Sequence, residues 1–169
     1  MTARMPSLDP AFRGSVYGYA NLAADYLLRP RPAFAQYRGV TPMWDNTARR
    51  PSDGMIVDGA TPELFGTWLE HVLRQTRRRH RGNAPLAFVN AWNEWTEGSY
   101  LEPDERSGMR YLEAVRAVFG AGRRSEGREP SPTRAESKEE TAALPRVLIL
   151  GDSISIGYTP LVRKLPWLN

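Results

Sequence analysis

Apolar residues along the chain recur in two ways, as stripes at helical spacing and as short continuous runs, and the two kinds alternate. Residues 1–19 carry neither pattern, with Pro6, Pro10, Gly14 and Gly18 as breakers, and read as irregular. From Ala20 to Leu28 the residues Leu22, Ala23, Tyr26 and Leu27 fall on one helical face, and Arg29-Pro30-Arg31-Pro32 stops the helix. Tyr37 to Met43 is a short strand candidate, weakened by Gly39 and Pro42. Met55 to Val57 is a short extended piece. Thr61-Pro62-Glu63 opens a helix with an N-cap hydroxyl, a proline at the first position and an acid in the first turn. Leu64, Phe65, Trp68, Leu69, Val72 and Leu73 then form one apolar stripe, and the helix runs to about His80 before Gly82.

Leu86 to Ala91 is a continuous apolar run, the mark of a buried strand. A second amphipathic helix is predicted from Ser107 to Phe119, with Tyr111, Leu112, Val115, Val118 and Phe119 inward and Gly120 closing it. Helix, strand, helix, strand, helix is the order of an α/β fold with parallel strands and helical crossovers. The pattern then lapses. Residues 121–144 mix Gly, Ser, Pro and charge and read as a disordered linker. Val147 to Leu150 is a fresh apolar strand that ends in Gly151-Asp152-Ser153, the opening of a second unit cut short. The expected division is therefore 1–120, a linker 121–144, and 145–169.

Length and composition narrow this plan. The chain has 169 residues. A complete eight-fold barrel needs about 250, so only a partial (β/α)8 (TIM) barrel fits. With hydrophobic residues at 41% and charged ones at 25%, the chain can build a core. The net charge of +4 is largely arginine. Arg74, Arg77, Arg78, Arg79 and Arg81 crowd one helix end, where cations complement the helix dipole, so no nucleic-acid partner is expected. There is no cysteine, which removes disulfides and thiolate metal sites. His71 and His80 lie on a scaffold helix and read as surface or boundary residues, since a metal needs several convergent ligands. No cofactor and no metal are implied. No apolar run approaches the ~20 residues that span a bilayer, and a cytoplasmic protein is the expectation.

The chemistry concentrates after the central run, in Trp92-Asn93-Glu94-Trp95-Thr96-Glu97-Gly98. If this turn enters a helix, Glu94 and Glu97 share a face with Cβ atoms ~5–6 Å apart. Two close carboxylates push each other's pKa apart, so one can hold a proton. Glycosidic chemistry needs that division: one acid for the leaving oxygen, one carboxylate as base or nucleophile. Trp92 and Trp95 suit stacking on sugar rings, and Asn93 can donate to and accept from hydroxyls. Two glutamates on a turn are more often a solvated face, and tryptophans more often core. The position directly after a strand, between indoles, brings the functional reading level with that bland one. Upstream, Trp44-Asp45-Asn46-Thr47-Ala48-Arg49-Arg50 is a second polar loop led by a tryptophan and an acid.

Asn93-Glu94-Trp95-Thr96-Glu97-Gly98 followed by Leu101-Glu102-Pro103 resembles the signature of glycoside hydrolase family ninety-nine and its bacterial WbsX-type relatives in surface-polysaccharide biosynthesis. The loop from Trp44 to Arg50 and Thr61-Pro62-Glu63-Leu64-Phe65 share the resemblance, which covers about residues 15–120. It implies the last third of a TIM barrel and a carbohydrate substrate. It implies Glu94 as the base on a sugar 2-hydroxyl, by way of an epoxide-like intermediate with retention, and Glu97 as the acid/base on the glycosidic oxygen. Trp44, Asp45, Asn46, Arg49 and Glu102 would join Trp92, Asn93 and Trp95 along the substrate. The alternatives are a glycosyltransferase with an activated sugar donor and an inactive truncated product. The first strands of such a barrel are missing here, so activity of this stretch by itself is not expected.

Val147 to Ser153, followed by Ile154-Ser155-Ile156-Gly157, resembles the first block of SGNH/GDSL hydrolases, a flavodoxin-like fold. There Ser153 would be the nucleophile, with its own N–H in the oxyanion hole. That family's later Asp and His are absent, and Ser153 without a base is an ordinary alcohol.

Overall fold

The computed structural model describes residues 9–80, 86–125 and 146–150. Most of the expected linker, and Ser153 with its turn, lie outside the described residues. Strand β1 (Ser15–Gly18) leads directly into helix α1 (Tyr19–Leu28). β2 (Gly39–Val40), β3 (Trp44–Asp45) and β4 (Met55–Asp58) follow, then helix α2 (Pro62–Arg79) and strand β5 (Leu86–Asn90). A hairpin of β6 (Asn93–Glu94) and β7 (Ser99–Tyr100) encloses a 3-10 turn at Trp95–Glu97. Helix α3 (Arg110–Ser125) and strand β8 (Arg146–Leu150) complete the described elements.

Three small sheets result. β1 lies parallel to β4, whose other edge takes β3 antiparallel; β2, β5 and β8 are all parallel; β6 and β7 are antiparallel. The described residues are thus mixed α/β with parallel pairing, as predicted, and they form no closed barrel. The register sets Gly39 beside Phe88 and Val40 beside Val89, so the C-terminal ends of β2 and β5 point the same way. The strand expected near residue 147 forms at Arg146–Leu150. It joins β5 as a parallel neighbour, satisfying the backbone groups that β5 would otherwise leave at an edge.

Helix α2 is the main scaffold. The Thr61 hydroxyl accepts the Leu64 N–H at 3.2 Å, capping the helix as its sequence predicts, with Pro62 at the first position. Phe65, Trp68, Leu69, Val72, Leu73 and Thr76 are buried along one face, at steps of three and four. Leu64 departs from the predicted stripe: it is 38% exposed, one residue round the helix from Phe65. The helix ends at Arg79, with His80 as its C-cap. Against this face pack Tyr19 and Tyr26 from α1, both edge-on to Trp68 at 5.6 and 5.7 Å. Tyr19 is buried and donates its hydroxyl to the Thr41 carbonyl at 2.6 Å. The expectation of an irregular stretch through residue 19 is therefore corrected: the four residues before α1 form β1, and Tyr19 belongs to the core. Val16 and Tyr17 supply β-propensity there, and pairing with Ile56 and Val57 overrides the flanking glycines.

Helix α3 packs on α2 through Phe65 and Tyr111, whose rings are 5.7 Å apart, and through Gly66, which lets Ala114 approach. The predicted closure at Gly120 does not occur. The helix runs on to Ser125, because Gly120 does not adopt the left-handed conformation of a C-cap and a single interior glycine costs only about 1 kcal/mol. His71 is exposed and bonds the Thr67 carbonyl, and His80 stacks on Tyr37 at 4.1 Å. No group of three or more metal-ligating side chains forms among the described residues. No described helix is long and apolar enough to cross a membrane.

Candidate functional site

The site is assembled at the C-terminal end of β5. The chain leaves Asn90, turns through Ala91 and Trp92, and enters the β6–β7 hairpin. Asn93 pairs with Tyr100 and Glu94 with Ser99, which makes Trp95-Thr96-Glu97-Gly98 a four-residue loop. Such loops form around a helical turn and return through a residue at positive φ, here Gly98 at φ 55°. The condition under which Glu94 and Glu97 would share a helical face, that the turn enters a helix, is not met beyond the 3-10 turn of Trp95–Glu97. The hairpin forms instead because Gly98 ends the turn and Ser99 pairs back across it.

Gly98 is required twice over. Its conformation disfavours a side chain, and a Cβ there would meet the Asp45 backbone oxygen at 2.8 Å and nitrogen at 2.9 Å. That close approach docks the hairpin onto β3, and so brings the second polar loop to the first. Arg49 completes the junction with an ion pair to Glu97 at 3.1 Å. Ser99, fully buried, donates its hydroxyl to the Asn90 carbonyl at 2.6 Å and lies 2.7 Å from the Thr41 hydroxyl. The ends of β2 and β5 are thereby tied to the base of the hairpin.

The two glutamates are held differently. Glu94 is half-buried and accepts the Thr96 hydroxyl at 2.7 Å. Glu97 is half-buried and faces Arg49. Trp95 is 46% exposed; one face stacks on Tyr100 at 3.9 Å and its indole N–H donates to Glu102 at 2.9 Å. Trp95 therefore offers an aromatic platform whose tilt is fixed by a stack and a hydrogen bond. Trp92 does not match it. It packs against the core, and its carbonyl accepts the N–H groups of Leu101 and Glu102, both at 2.9 Å.

Three polar atoms here are buried with no hydrogen-bond partner among the described residues: Asn93 Oδ1, Trp92 Nε1 and Trp44 Nε1. Asn93 is 5% exposed, so its free acceptor is a costly one. Asp45 is exposed, and its carboxylate accepts the N–H and hydroxyl of Thr47 at 3.0 and 2.6 Å. Asn46 is committed to structure, accepting the Met55 N–H at 2.6 Å and so closing the loop of residues 46–54 onto β4. Behind the hairpin, burial and then the neighbouring Asp104 carboxylate push the Tyr100 phenol up to about 12. Asp104 itself would be raised by burial. The N–H of Ser107, the Tyr100 hydroxyl, and the Arg106 and Gly108 N–H groups outweigh that and lower it.

Glu94, Glu97, Asn93, Trp95 and Glu102 thus share one hairpin and its exit. Trp44, Asp45, Asn46 and Arg49 come to it through β3. Thr41, Thr96, Ser99, Tyr100 and Asp104 escape the sequence reading. Only the spacing of Ser99 and Tyr100 beyond a glycine hints at a returning strand.

A family model described as "Glycosyltransferase WbsX" matches residues 2–115. Two curated proteins from strains of Xanthomonas campestris pv. campestris, each described as "Uncharacterized protein WxcX", are 41% identical over 123 residues, 70% of this chain. The chain spans 17% of the length of these relatives. No solved structure matches it.

Proposed function

From the premise that the chain belongs to the WbsX glycosyltransferase family, we propose that it carries the acid/base hairpin of a larger protein that makes or cleaves glycosidic bonds in polysaccharide metabolism. The observation that supports this most is the pairing of Glu94 and Glu97 on one short loop at the end of a parallel strand. That is the end where active sites of α/β folds collect.

Glu97 is the proton donor and acceptor at the glycosidic oxygen. Glu94 takes the proton of the neighbouring sugar hydroxyl, a role that does not require it to reach the anomeric carbon. Trp95 is the platform for a sugar ring. Arg49 and Asp45 form the wall beside Glu97. The remaining strands of a TIM-type barrel belong to the longer protein. Residues 145–169 open an SGNH-type esterase unit on the strength of Gly151-Asp152-Ser153 after an apolar strand.

The family's description favours transfer from an activated donor over release of free sugar. The test is carried out on the full-length protein, with an oligosaccharide and with a nucleotide-activated sugar in parallel. Glu97→Gln should lower whichever activity the wild type has by about 10²–10⁴-fold; full activity in that variant removes the assignment. Product formed only from the activated donor establishes transfer.

A further inference from the structure

At the other end of the same parallel strands lies a cavity of about 340 Å³. The strands β2 and β5 begin there and α2 ends there. Five arginines line it, Arg29, Arg31, Arg38, Arg78 and Arg79, together with Gln75 and, among the described residues, no carboxylate. Five cations around one hollow need a reason, and for Arg38 the fold supplies it. Arg38 is 3% exposed and donates to the carbonyls of Tyr26, Leu27 and Arg29 at 2.6, 2.8 and 2.7 Å. Those carbonyls are the open end of α1, where the helix dipole is negative, so Arg38 serves as its C-terminal cap.

Arg78 and Arg79 are exposed in the last turn of α2, where cations complement its dipole, and Arg29 lies over the Tyr26 ring at 5.9 Å, which leaves Arg31 without such an account. Among the described residues none of Arg29, Arg31, Arg78 and Arg79 forms an ion pair. Arg31 donates one amino group to Gln75, while its Nη1 is buried with no partner among the described residues. An unpaired buried donor on a cation is among the more costly defects a fold can carry. Burial, then the charges of Arg38 and Arg79, lower the Arg31 pKa from its ordinary value, so these guanidinia repel one another as they stand.

We propose that this cavity is an anion site and that its ligand is a diphosphate group. Guanidinium forks match phosphate oxygens two at a time, and a group with several acceptors and more than one negative charge can satisfy several forks together. A carboxylate supplies only one charge. The volume lies in the range of small-molecule sites and exceeds the needs of a single monovalent ion. An adjoining hollow of about 280 Å³ shares Arg31 and Arg79 and is walled by Phe34 and His80, which leaves space for a planar or apolar group attached to the phosphates. The site stands apart from the glutamate hairpin and does not depend on the assignment of Glu94 and Glu97.

The test uses the whole chain and isothermal titration with inorganic pyrophosphate at fixed ionic strength, with sulfate and chloride as controls. Parallel titrations use a nucleoside diphosphate and anionic phospholipid vesicles. Pyrophosphate should bind well above either control. Arg31→Gln should weaken it by about tenfold or more, the worth of one charge-assisted hydrogen bond. Arg79→Gln should weaken it too, and should raise the melting temperature of the ligand-free chain by relieving repulsion. Arg116→Gln, on the exposed face of α3, should change neither. If Arg31→Gln fails to fold, Arg79→Gln carries the comparison. Tighter binding of the nucleoside diphosphate than of pyrophosphate places the attached group in the second hollow. Equal affinity for pyrophosphate and chloride, vesicle binding without pyrophosphate binding, or affinity unchanged in Arg79→Gln would each overturn the proposal.

Discussion

The two ends of the β2–β5 sheet carry opposite chemistry on one scaffold. At the C-terminal end a hairpin and its exit present Glu94, Glu97 and Glu102 beside an exposed indole, and the unpaired buried atoms there are the Asn93 amide acceptor and the indole donors of Trp44 and Trp92. At the N-terminal end arginines gather around a hollow, and the unpaired atom is a donor. The difference follows from the direction of parallel strands. Loops after the strands are free to hold polar side chains. The opposite end receives the C-termini of α1 and α2, whose carbonyls attract cations such as Arg38. One end is therefore built by loops and the other by helix ends, and the two should respond to different substitutions.

The largest separation is expected from Glu97→Gln in the full-length protein. Removing a positioned acid/base group costs about 10²–10⁴-fold in rate, so kcat should fall on that scale. Pyrophosphate binding, measured on the same preparation, should stay unchanged. A shared loss would join the two ends into one site.

Next in size is Phe65→Ala, which acts on the scaffold common to both. Phe65 is fully buried against Tyr111, and such truncations cost about 3–5 kcal/mol. Urea denaturation should register that loss. Gly98→Ala should act on the acid end alone. A left-handed conformation costs a non-glycine residue about 1–3 kcal/mol, and the clash with the Asp45 backbone adds to it. Activity should drop with the hairpin undocked from β3, while anion binding at the arginine end persists.

Alkali should weaken the acid end and the scaffold together, since burial also pushes Tyr111 of the scaffold up to about 12. Tyr100 is raised to about 12, by burial and then by Asp104. The unfolded chain releases that proton near its ordinary pKa of about 10, so the unfolded state gains proton-release free energy first. The stability tied to the neutral phenol is complete below that value and is lost as pH rises through about 12. Tyrosinate absorbance followed with circular dichroism should place the loss in this window, and Tyr100→Phe should shrink it.

Much of the scaffold was legible beforehand because its signals are local. The Thr61 cap, the stripe from Phe65 to Leu73 and the apolar run after Leu86 each state their element within a dozen residues. Tyr19 was not legible, because what buries it is a partner, Trp68, far along the chain. The turn after Trp92 was legible as a turn, but its return as a hairpin was not, because only Gly98 followed by a pairing Ser99 announces it. The arginine cavity was not legible: Arg78 and Arg79 read as complements to the α2 dipole, and Arg29 and Arg31 as part of the stop after α1. Arg31 and Arg38 lie outside the α2 cluster, and only folding brings them to Arg78 and Arg79.

The smallest effect is expected at Arg49, and it is the one that tells scaffold from site. Its pair with Glu97 is exposed on the arginine side, at 57%, and surface pairs contribute about 0–1 kcal/mol. Arg49→Ala should therefore leave the urea midpoint nearly unmoved. If Arg49 orients Glu97 for proton transfer, the same variant should lower kcat several-fold and leave KM close to wild type. Arg49→Lys would recover part of that loss as a point charge without the planar fork. A double-mutant cycle with Glu97→Gln closes the argument: coupling in kcat without coupling in stability makes Arg49 a positioning residue of the acid end, and the reverse pattern makes the pair a strut between β3 and the hairpin.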